Sequence, residues 1–99
     1  MEVENNKYKI KIDKVDLEVY CVVLKNKIYK LLPLREEDLD WQKYLNSVIV
    51  EVSGLYEIFN GQPRLFSLLS KLEGLYRLED FMLYRRTVFE CLKIVEEMI

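Results

Sequence analysis

The sequence predicts an α+β domain, a three-stranded antiparallel meander over about residues 7–32 followed by three helices at about 38–59, 63–73 and 79–98. Three observations predict it. Apolar and polar residues alternate with a period of two through the first third of the chain. From Trp41 onward the apolar residues recur at spacings of three and four instead. The 99 residues, 51% hydrophobic and without a linker, repeat or low-complexity tract, suit one domain spanning 1–99 rather than a disordered chain.

In the first predicted strand, Tyr8, Ile10 and Ile12 alternate with Lys7, Lys9 and Lys11. In the second, Val15, Leu17, Val19, Cys21 and Val23 alternate with Asp16, Glu18, Tyr20, Val22 and Leu24. A tight hairpin through Asp13-Lys14 sets Ile12 against Val15, Ile10 against Leu17 and Tyr8 against Val19. Its other face pairs Lys11 with Asp16 and Lys9 with Glu18, and a slip of one residue spoils both faces. Lys25-Asn26-Lys27 supplies the next turn, because Asn tolerates positive φ. A two-residue loop there would place Lys30 opposite Cys21 on the core face, so the longer loop is preferred. The third strand, Ile28 to Leu32, ends at Pro33.

Arg35-Glu36-Glu37-Asp38-Leu39-Asp40 reads as a helix entry. Its carboxylates favour the positive end of a helix dipole, with Asp38 or Asp40 as cap. Trp41, Tyr44, Leu45, Val48, Ile49, Val52, Leu55, Tyr56 and Phe59 then share an arc of roughly 140°. Gly54 on the polar side marks a point of close packing, and Asn60-Gly61 ends the helix. Pro63 opens a shorter helix with a Leu65, Leu68, Leu69, Leu72 stripe, ended by Gly74.

The last helix, opened by Glu79-Asp80, has an apolar arc of roughly 180° that includes Leu83, Tyr84, Val88, Cys91, Ile94, Val95 and Met98. Met82 and Phe89 add a second apolar patch. Only Arg86, Glu90, Lys93 and Glu97 form a polar strip, with Arg86/Glu90 and Lys93/Glu97 at i,i+4 spacing. So wide an apolar face exceeds what a peripheral helix needs. Met82, Leu83, Phe89, Ile94 and Met98 are therefore the candidate interaction surface, for another protein or for a second copy in a homodimer.

Chemistry finds little support. The chain has no histidine, which removes the usual general base, zinc ligand and pH switch. Cys21 and Cys91 lie far apart in apolar stretches and read as reduced core thiols. The serines lack a base and a G-x-S-x-G elbow, and the three glycines make no phosphate loop. The carboxylate clusters stand at a helix start and at the chain end, where dipole and solvation roles explain them. Ile28 to Trp41, with Leu34-Arg35-Glu36-Glu37-Asp38-Leu39 at its centre, resembles the first strand-to-helix step of acyl-CoA-dependent N-acetyltransferase domains. The pyrophosphate loop of that family is missing and the chain is too short for its fold, so no site is carried over.

The expectation is a small protein–protein interaction module, a regulatory, adaptor or inhibitory subunit without catalysis of its own and without a catalytic, cofactor or metal site. The small size and the Lys/Ile/Glu-rich composition suggest a microbial or viral accessory protein. The alternative is a helix-turn-helix-like nucleic-acid binder over 62–90, with Arg85 and Arg86 as the contacts. Against it stand a long turn, glutamates among the arginines and a net charge of −2. No membrane or small-molecule partner is implied. The first residues lack an apolar signal-peptide core and no apolar run reaches a membrane span, so the cytoplasm is expected.

Overall fold

Leu17, Cys21, Leu24, Ile28 and Leu31 follow one another at spacings of four, three, four and three residues. That is the repeat of one helix face, and all five are buried in the computed structural model of the chain. It describes the backbone of residues 3–5, 10–12 and 14–98 and the side chains of residues 16–98. Residues 14–29, expected to form most of the meander, are instead a helix, α1 (Lys14–Tyr29). Val19, Val22 and Val23 gave the stretch its strand-like look, and all three are exposed. Intrinsic helix propensities separate valine from the best formers by less than ~1 kcal/mol per residue. Burial of one Leu or Ile side chain contributes about 1.5–3 kcal/mol. The buried stripe of Leu17, Cys21, Leu24 and Ile28 therefore decides the conformation.

The α+β meander is thus overturned: the described fold is helical. Among the described residues, strand structure is limited to a three-residue antiparallel pair, β1 (Val3–Asn5) with β2 (Ile10–Ile12). Ile12 lies opposite Val3, not Val15, and Ile10 opposite Asn5, not Leu17. The pairings expected of Lys7, Tyr8 and Lys9 and the turn at Asp13 lie outside the described residues.

The third strand is also absent. Ile28 and Tyr29 complete α1, and Leu31 begins a short helix, α2 (Leu31–Glu36). Pro33 has no N–H to give to the carbonyl four residues earlier, and its ring crowds that carbonyl, so α1 cannot run on unbroken. In the first turn of α2 the same residue is tolerated. The acidic run expected to open a helix first closes this one; Asp40 then stands at the N-cap position of the helix that starts at Trp41, without a side-chain cap bond. Asp38 takes positive φ (53°), with the Asp38 N–H on the Arg35 carbonyl (3.1 Å) and the Leu39 N–H on the Leu34 carbonyl (2.9 Å). These two bonds are the Schellman pattern, with aspartate in the usual place of glycine.

The next helix, α3 (Trp41–Ile58), buries Trp41, Leu45, Val48 and Val52. It ends in the same pattern: Asn60 has φ 59°, its N–H reaches the Glu57 carbonyl (3.1 Å), and the Gly61 N–H reaches that of Tyr56 (2.8 Å). A Cβ at Gly54 would meet open space, so no close approach occurs there. In α4 (Pro63–Gly74), Pro63 occupies the first turn and the Gln62 side chain accepts from the Leu65 N–H. Gly74 does not stop the chain sharply; a 3-10 turn, Leu75–Arg77, continues it and buries Leu75. Asp80 then caps α5 (Phe81–Glu96) through the Met82 N–H at 2.8 Å.

α5 is the central helix, packed on α1 at one side and on α4 at the other, with α3 against α4 and α2 wedged between α3 and α5. α1 and α3 are joined by a polar clamp. Glu51 accepts from the Tyr20 hydroxyl (2.7 Å) and, with both oxygens, from the Lys27 ammonium (3.0 Å each). Tyr44 donates to the Lys27 carbonyl (2.9 Å). Burial alone would raise the Glu51 pKa, but the Tyr20 and Lys27 hydrogen bonds outweigh it and hold the carboxyl below its ordinary value. It is ionised at neutral pH and fixes the spacing of two helices.

Candidate interaction surface

The sequence of α5 divides cleanly between two faces. Tyr84, Val88, Cys91, Val95 and Met98 recur at four, three, four and three residues and are buried. The complementary positions carry Met82, Arg86, Phe89 and Lys93, flanked by Leu83 and Arg85, and these are exposed. Among the large apolar side chains of this face, Met82 is 65% exposed, Leu83 49% and Phe89 41%. The five residues expected to form one surface therefore separate. Met82, Leu83 and Phe89 face outward together, Ile94 is half-buried against the core, and Met98 belongs to the core itself.

The outer face is shaped as well as apolar. A shallow concavity of about 600 Å³ runs along it past Met82, Leu83, Arg85, Arg86, Phe89 and Lys93. A second hollow of about 240 Å³ adjoins it where Tyr29, Pro33 and Phe81 meet Phe89. The Tyr29 and Phe89 rings meet edge to face, with centroids 6.4 Å apart at 75°. The Arg85 guanidinium lies over the Phe89 ring, 4.9 Å from its centroid. Phe89 thus touches both Tyr29 and Arg85 although it is 41% exposed. Tyr29 was expected on a strand; the only signal for its real place is its seven-residue spacing from Val22, visible once α1 is read as a helix.

Charge on this face is unevenly satisfied. The i,i+4 partners suggested by the sequence do not meet: Glu90 turns to Lys71 (3.5 Å) on α4. Arg86 and Lys93 make no ion pair with another described residue. The outward face of α5 thus sets Arg85, Arg86 and Lys93 beside Asp80 and Glu90, with Glu36 next to Arg85 at the adjoining hollow.

Elsewhere the polar groups serve packing. The Arg35 guanidinium lies between the Trp41 and Tyr84 rings, 4.7 and 4.6 Å from their centroids, and donates to the Glu79 carbonyl at 3.0 Å. Its Nη1 is buried with no hydrogen-bond acceptor, so the ring faces are its partners. This contact ties α2 to the start of α5, a role the reading of Arg35 as part of a helix entry missed. Tyr84 donates to the Leu31 carbonyl (3.2 Å), and burial pushes its hydroxyl up to about 12. Cys21 and Cys91 are free and buried; burial raises both thiols, Cys91 to about 12, so neither is a ready nucleophile. Among the described residues no cluster of three metal-binding side chains occurs, and no helix is long and apolar enough to cross a membrane.

For the nucleic-acid alternative, Arg85 and Arg86 both lie on the free face of α5. Residues 75–80 separate α4 from α5, longer than the 3–4-residue turn of a helix-turn-helix, and Asp80 and Glu90 stand beside the arginines. Compared with protein-family models, curated proteins and solved structures, the chain matches none.

Proposed function

We propose that the chain is a small interaction protein, a regulatory, adaptor or inhibitory subunit of the cytoplasm that meets another protein through the outer face of α5. One observation carries the reading: Met82, Leu83 and Phe89 stand exposed together along a concavity, on a helix whose opposite face already supplies the core. Grouped large apolar side chains on a monomer surface mark contact sites, and an aromatic anchor with an arginine beside it is the usual centre of one. The two free, buried thiols fit a reducing compartment.

A photo-crosslinking side chain in place of Met82 is the test, with the same group in place of the exposed Ser47 on α3 as control. In cells expressing the chain, the residue-82 probe is expected to give a discrete adduct that disappears on Phe89→Glu. The control is expected to give none. Identical adducts from both positions would contradict the reading.

A further inference from the structure

We draw no further inference here: the strongest candidate, the concavity along the outer face of α5 where Met82, Leu83 and Phe89 stand among side chains of both charges, belongs to the interaction surface already described, and nothing in the structure shows what covers it.

Discussion

Tyr84→Ala is expected to lower folding stability by about 3–5 kcal/mol, the range for deleting a large ring from a close-packed interior. The side chain is fully buried at the meeting point of α2, α3 and α5. Its ring meets Trp41 edge-on (5.5 Å), stacks on Phe81 (6.1 Å) and forms one wall of the Arg35 sandwich. Truncation leaves a cavity and also exposes the Arg35 guanidinium to a site with one π face instead of two. Against a total stability of about 5–15 kcal/mol for a domain of this size, the loss is severe. Tyr84→Phe separates the two contributions. It keeps the ring, removes only the hydroxyl that reaches the Leu31 carbonyl, and is expected to cost about 1–2 kcal/mol. Urea unfolding of both variants checks the ordering; equal losses would show that the hydroxyl, and not the ring packing, holds the site.

Leu24→Ala is expected to cost about 2–5 kcal/mol, while its neighbour Val23→Ala changes stability by no more than about 0.5 kcal/mol. Leu24 is buried and Val23 is 44% exposed. A strand through the same residues would reverse the order, since its core face holds Val23 and turns Leu24 to solvent. Unfolding midpoints of the two variants decide between the helix and the meander. A larger loss at Val23 would contradict α1.

This pair also shows what in the sequence was legible and what was not. In α3 eighteen residues with one clear apolar stripe admit only the helical period, and the stripe found from sequence supplies its buried residues. In α1 two periods coexist. Leu17 and Cys21 satisfy both, Val19 and Val23 extend the alternation, and Leu24 and Ile28 extend the helix. Local pattern cannot separate them, because the deciding term is which side chains meet α5, a contact between residues distant in sequence. Pro33 and the acidic run that follows misled for a related reason. Each borders two elements, and only the hydrogen bonds of Asp38 and Leu39 show that the acidic run closes α2 before Asp40 leads into α3. The apolar width of α5 was correctly suspicious, yet it has two causes. Tyr84, Val88, Cys91, Val95 and Met98 serve a central helix packed on both sides. Only Met82, Leu83 and Phe89 remain for contact, and Tyr29 joins them from α1.

That division is the claim on which the functional reading rests: one face of α5 holds the bundle and the other is free. A scan placing glutamate singly at residues 82–89 and 91–93, read as the urea-unfolding midpoint, tests it directly. Val88→Glu and Cys91→Glu are expected to abolish cooperative folding, since each buries an unpaired carboxylate. Met82→Glu and Phe89→Glu are expected to cost at most about 1 kcal/mol, with the losses rising and falling at the helical period. Losses at Met82 and Phe89 as large as at Val88 would mean that the outer face is covered within the folded chain, and would contradict the account.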